Sequence, residues 1–353
     1  MSSQQELKNL LEEVVKSDAT DLHLGVGKQP ALRINGNLVS AKQSAVLTPE
    51  HIADLVLALL REDQKIKLQT QREIDFSYSL EDKARFRVNV YYQKGYLSAA
   101  LRLIPTKIRT IEELHLPESI KEFTKPSQGF VLIVGPAGHG KTSVMAALVD
   151  IINHTRQEHI VTIEDPIEYI FTQDKCIISQ REVGIDTKSF HSGLRSMFRE
   201  DPDVVMIGEM RDPESIATAV TGAETGHLVF ASLHTNTAAQ TIDRIIDSFP
   251  SHQQNQIRVQ LAATLLGIIS RRLLPTIKGK MTSAVEILIA NPALRNIIRE
   301  GKTHQIDLVI ETSADQGMIS LNKSLANLVK KQEITLETAE IYSPNPLELK
   351  ALL

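Results

Sequence analysis

Residues Gly135 to Thr142 read Gly-Pro-Ala-Gly-His-Gly-Lys-Thr, a complete G-x-x-x-x-G-K-[ST] phosphate loop. Such a loop constrains the fold because it works only between a buried strand and the start of a helix. Both neighbours are present. Gly129 to Val134 is an apolar run suited to a buried parallel strand, and Ser143 to Val149 is helix-like. Glycines let backbone N–H groups turn inward around phosphate oxygens, and a helix N-terminus adds partial positive charge. The whole stretch Gly135, Pro136, Ala137, Gly138, His139, Gly140, Lys141, Thr142 and Ser143 is therefore expected to cradle a nucleoside triphosphate. Lys141 would reach the β- and γ-phosphates and Thr142 would hold Mg²⁺. The blander alternative is a glycine-rich turn that binds nothing; the strand and helix on either side favour the binding loop.

At 353 residues the chain is too long for one ordinary core, so two domains are expected. With 42% hydrophobic and 23% charged residues it reads as globular. A net charge of −4 and the lack of Trp give no general case for nucleic acid. The lone Cys176 rules out an intrachain disulfide or a multi-cysteine zinc site, and reads as a small packed side chain. No signal-peptide pattern or membrane-length apolar run is evident, so a cytoplasmic protein without direct membrane insertion is expected.

Residues 1–104 read as a smaller α+β domain. Glu6 to Lys16 and Thr48 to Leu60 suggest helices, and Asp21 to Leu24 a short strand. Two apolar runs around Asn35-Gly36 suggest a hairpin. Strand-like stretches follow at Glu73 to Ser79, Ala84 to Tyr92 and Tyr96 to Ile104. Residues 105–115 read as a linker. From 116 to 353 strands alternate with helices, as in an α/β domain with a parallel sheet. Its strands are placed at Gly129 to Val134, His159 to Ile163, Val204 to Ile207 and Leu228 to Ser232, and the chain is mostly helical from about 290.

Asp203 to Glu209 is an apolar strand ending in an acid, which beside a phosphate loop orders metal or polarises water. Gly208-Glu209 fills the place where an Asp is usual, so Glu209 is assigned mainly to water activation, with metal contact through water also open. Glu164-Asp165-Pro166 offers a second carboxylate near the metal and water, although alone it reads first as a surface turn. His227 and His234 bracket another strand. Their spacing suits no simple metal pair; the alternatives are hydrogen bonding around the γ-phosphate or two structural histidines. Arg85 and Arg87 share a strand face and Arg102 lies nearby in sequence. They are either a solvated face or phosphate-contacting arginines.

These segments together resemble the type IV pilus retraction ATPases, the PilT family, within the type II and type IV secretion ATPases. The resemblance runs over nearly the whole chain: Ser17 to Leu24, Ala84 to Asn89, Ile163 to Tyr169 (an Asp box), Arg199 to Asp212 (a Walker B region), Gly222 to Asn236 (a His box), and Ala293-Leu294-Arg295-Asn296-Ile297-Ile298-Arg299-Glu300. Extension motors and type II secretion motors typically carry a tetracysteine element, which one cysteine excludes, and a longer N-terminal region, which the chain length argues against. The loop departs from the family at Ala137, His139 and Thr142-Ser143; the bulkier His139 bears on loop dynamics and rate.

The resemblance implies a RecA-like ATPase core with a PAS-like N-terminal domain. It implies a Mg²⁺-dependent, ATP-hydrolysing hexameric motor for pilus retraction and twitching motility, peripheral to the inner membrane through a pilus platform protein. ATP would lie between the two domains. Arg85, Arg87 and Arg102 would act on a neighbour's nucleotide. Rival readings are an accessory retraction ATPase needing a partner motor, a RecA-like nucleic-acid translocase, and a nucleotide sensor without turnover. Asn291-Pro292 is expected to open a helix whose Arg295 and Arg299 lie together away from the apolar stripe and contact the pilus machinery.

Overall fold

A computed structural model describes the chain apart from Met1, Asn35, Lys42, Gln43, Asp82 and Thr106. Asn35 of the expected hairpin turn and Thr106 of the expected linker lie outside the described residues. The fold is mixed α/β in two compact units. One takes in the chain up to Lys107 together with Glu168–Ile170; the other is Ile108–Ile167 with Phe171–Leu353.

The first unit runs α1 (Ser3–Lys16), β1 (Asp21–Leu24), β2 (Ala31–Ile34), β3 (Asn37–Ser40), α2 (Pro49–Leu59), α3 (Glu62–Gln71), β4 (Glu73–Leu80), β5 (Ala84–Gln93) and β6 (Tyr96–Ile104). Helix α1 forms because Leu7, Leu10, Leu11 and Val14 recur on one face and Ser2 caps its first turn, accepting from the Gln5 N–H. Thr48 caps α2 in the same way, with Pro49 opening it. The two expected helices and the expected strands are present; α3, which has only Leu68 as a buried apolar residue, was not anticipated. The sheet is antiparallel throughout, in the order β3-β2-β1-β6-β5-β4. Phe86, Val88 and Val90 of β5 enter the core, leaving Arg85 and Arg87 on the other face. On that face Arg33, Asp21, Arg102 and Arg87 stand directly opposite one another across four strands.

The second unit runs β7 (Gly129–Val134), α4 (Lys141–Thr155), β8 (His159–Glu164), β9 (Ile177–Glu182), α5 (Phe190–Met197), β10 (Val204–Ile207), α6 (Pro213–Glu224), β11 (Leu228–Leu233), α7 (Ala238–Asp247), α8 (Ser251–Thr264), β12 (Leu265–Pro275), β13 (Met281–Ile289), α9 (Pro292–Glu300), α10 (Ile306–Thr312), α11 (Leu321–Lys330), α12 (Leu336–Tyr342) and α13 (Pro346–Ala351). The sheet order is β13-β12-β7-β11-β10-β8-β9, parallel except for β13. Every residue of β7, β10 and β11 is buried, as expected of parallel strands covered on both faces. Cys176 is buried, as anticipated.

Two features were not expected. Strands β12 and β13 extend the sheet beyond β7, and α8 passes into β12 with no intervening residue. Arg295 also departs from expectation. Helix α9 forms under an Asn291 cap as predicted. But the Arg295 Nη1 donates to the carbonyls of Ala262 and Ala263, both at 2.6 Å, satisfying the last turn of α8. Arg295 is thus part of the packing, not a free surface cation beside Arg299.

Candidate active site

The parallel strands deliver the chemistry-bearing residues to one edge. The phosphate loop follows β7, Glu164 closes β8, Glu209 follows β10 and His234 follows β11, all at C-terminal strand ends, where α/β sheets form their binding crevice. Two loop glycines are required by geometry. Gly135 has φ 145°, and a Cβ there would stand 2.5 Å from the Arg271 carbonyl oxygen. Gly140 has φ 74° and starts α4; its Cβ would strike the Arg271 guanidinium.

Lys141 is buried, and its Nζ donates to the carbonyls of Gly135 (3.0 Å) and Pro136 (3.1 Å) and to His234 Nδ1 (3.1 Å). An ammonium can only donate, so Nδ1 accepts and the ring proton sits on Nε2. That Nε2 lies 3.1 Å from Glu209 Oε1, while Arg211 donates to Glu209 Oε2 at 3.0 Å. Lysine, neutral imidazole, carboxylate and guanidinium therefore form one polar chain. It leaves Glu209 partly open to solvent, where a water can meet it. Glu164 is 2% exposed, so it is no surface turn. It accepts from Thr162 Oγ1 (2.7 Å) and Gln180 Nε2 (3.2 Å).

Among the described residues no group of three His, Cys, Asp or Glu is gathered as a metal cage. The donor set still suits Mg²⁺. Thr142 in the first turn of α4, with carboxylates on the neighbouring strand ends, supplies the few hard oxygens that Mg²⁺ takes from protein beside phosphates and water.

His227 does not join this group. It precedes β11 at the N-terminal edge of the sheet, about 20 Å along the strand from His234. Its Nδ1 bonds the Gly222 carbonyl at 2.9 Å, and its ring packs edge-on to Phe198. Within this unit its contacts are structural. In the first unit, Arg102 Nε donates to Asp21 at 2.9 Å, and Arg87 is exposed beside it.

Sequence reasoning missed the residues of β12 and β13. Arg271 Nη1 donates to the Gly140 carbonyl at 2.8 Å. Arg272 Nη2 donates to the Asn236 carbonyl at 3.1 Å, bracing the loop that carries His234. The Leu273 N–H donates to His139 Nδ1 at 3.0 Å, so the bulky loop residue is an anchor. Burial, helped by the charges of Arg272, Lys141 and Arg271, pushes the His139 pKa down and keeps that nitrogen an acceptor. The only clue in sequence was a polar pair, Arg271-Arg272, inside an apolar run.

Glu286 Oε1 accepts from the Ala238 N–H at 2.6 Å at the start of α7, and burial pushes its carboxyl up to about 7. A raised carboxyl pKa means the folded state holds the extra proton between 4.5 and about 7, so stability falls as pH rises through that window. Glu286→Gln keeps an acceptor for Ala238 but carries no charge. It is expected to be more stable than the wild type at pH 8, by on the order of 3 kcal/mol, with most of the difference gone at pH 5. Calorimetry showing the same difference at both pH values would refute this.

The chain matches the family model "Type II/IV secretion system protein" over residues 2–342. It is 42% identical over 334 residues to the type IV pilus retractation ATPase PilT of Pseudomonas aeruginosa, covering 95% of this chain and 97% of that protein. It is 37% identical over 349 residues to the type IV pilus ATPase PilU of the same organism, covering 99% and 91%. It superimposes with a TM-score of 0.90 on the crystal structure of the pilus retraction motor PilT with bound ADP, at 45% identity and covering 98% of each chain.

Proposed function

The chain belongs to the type II/IV secretion system protein family, and from that premise we propose a mechanism for it as a type IV pilus retraction ATPase that drives twitching motility. The observation that carries the reading is the run from Lys141 through His234 to Glu209 along the edge where the phosphate loop sits. When ATP enters, Lys141 leaves the Gly135 and Pro136 carbonyls for the β- and γ-phosphates. His234 Nδ1 then loses its donor and becomes free to accept a bond, while its Nε2–H still orients Glu209. Glu209 takes the proton of the attacking water. Glu164, held by Thr162 and Gln180, orders the water and metal side. Thr142 would hold Mg²⁺, which when bound would neutralise charge on the phosphates.

The working form is a homohexamer in which Arg85, Arg87 and Arg102 act on the nucleotide of a neighbouring copy. It docks on a pilus platform protein at the inner membrane. No helix among the described residues is long and apolar enough to cross a membrane. Deleting the gene is the test: twitching is lost while pili are retained or in excess. Absent pili would point to extension instead, and turnover stimulated by DNA would favour a translocase. The 37% identity to PilU supports the second reading, an accessory motor, for which purified protein and a complemented strain would work only with a partner ATPase.

A further inference from the structure

Arg271 is 4% exposed, and its side chain packs against the phosphate loop at Gly140. Its Nη1 donates to the Gly140 carbonyl at 2.8 Å; its Nε and Nη2 donate to Ser283 Oγ at 3.1 and 2.9 Å. The Ser283 hydroxyl gives its one proton to the Leu114 carbonyl at 2.8 Å, so its two lone pairs and its hydrogen are all used. Leu114 belongs to the segment with which the second unit begins.

In a trans peptide the C=O and the next N–H point in opposite directions. The Gly140 carbonyl accepts the first helical bond of α4, from the Val144 N–H at 3.3 Å, and the shorter bond from the Arg271 guanidinium; held by both, it turns the Lys141 N–H the other way, out of the helix start toward the place of the phosphates. Gly140 at φ 74° has no side chain to set this plane, and its Cβ would occupy the guanidinium's place. The Arg271 carbonyl also packs against Gly135 at the other end of the loop, so one residue contacts both ends.

We propose that Arg271 is a positioning residue for nucleotide binding, fixing the Gly140–Lys141 peptide plane, with Ser283 tying that grip to the Leu114 carbonyl. The proposal rests on the nucleotide-site reading above. Because the peptide contacts phosphates in substrate and transition state alike, its loss weakens binding more than it slows chemistry.

The experiment measures the affinity of the full-length protein for N-methylanthraniloyl-ADP, KM and kcat for ATP, and the nucleotide-free melting temperature. Arg271→Met is expected to weaken binding and raise KM by about tenfold or more, the worth of a charge-assisted hydrogen bond, with kcat changed by less than about threefold. Arg271→Lys should recover part of the loss. Ser283→Ala should shift affinity in the same direction by less. Ile268→Val, a buried change elsewhere on β12, should lower the melting temperature without altering affinity. Unchanged affinity in Arg271→Met overturns the proposal. If that variant does not fold, unchanged affinity in both Arg271→Lys and Ser283→Ala overturns it. A wild-type protein that fails to bind the probe would instead overturn the nucleotide-site reading.

Discussion

Glu209→Gln is expected to leave nucleotide affinity within about twofold of wild type and to lower turnover by about three orders of magnitude, the weight of a general base. The amide oxygen can still accept from His234 Nε2, so the polar chain behind the phosphate loop keeps its shape. What disappears is the capacity to take a proton from water. The Arg211 contact turns from attractive to repulsive if the amide NH₂ faces it, but Arg211 is exposed and free to swing away. Single-turnover kinetics with saturating ATP give the answer. A loss of less than tenfold would move the base assignment to Glu164.

Lys141→Ala is expected to be as severe by another route. The loop loses its only cationic side chain, and affinity for ATP should fall by about a hundredfold or more. Turnover should be absent at millimolar ATP, and near-normal turnover would sink the site. The same variant tests the neighbour's arginines. Mixed with Arg87→Ala, in rings shown to exchange subunits, it should regain part of the activity at interfaces that join an intact loop to an intact arginine. Failure at every mixing ratio would place Arg87 in its own subunit's service or in structure alone.

The central strands were legible because their signals are local. Gly129–Val134, Val204–Ile207 and Leu228–Leu233 are short, apolar but for Ser232 and followed by loop chemistry, and the acids and His234 fall where such strands end. Strand β12 was not legible, for two physical reasons. Thr264 passes into Leu265 with no turn residue to mark the change from helix to strand. Arg271 and Arg272 look like surface, yet both are buried, because their hydrogen-bond partners are two backbone carbonyls and the Ser283 hydroxyl, which no sequence pattern announces. His227 stands apart from His234 for a related reason. Two histidines bracketing one strand look like a pair in sequence, but a strand puts its two ends on opposite sides of the sheet.

The seamless passage from α8 into β12 has a mechanical side. The carbonyls at the end of α8 are gripped by Arg295 on α9, and about 25 Å further along the same unbroken backbone Leu273 and Arg271 hold the phosphate loop. Between those points β12 is bonded to β7 on one side and β13 on the other, with one register shift against β7 between Leu265 and Gly267. A strand paired on both edges thus runs from the helix end that Arg295 holds to the residues that touch the phosphate loop, and no loop interrupts that path.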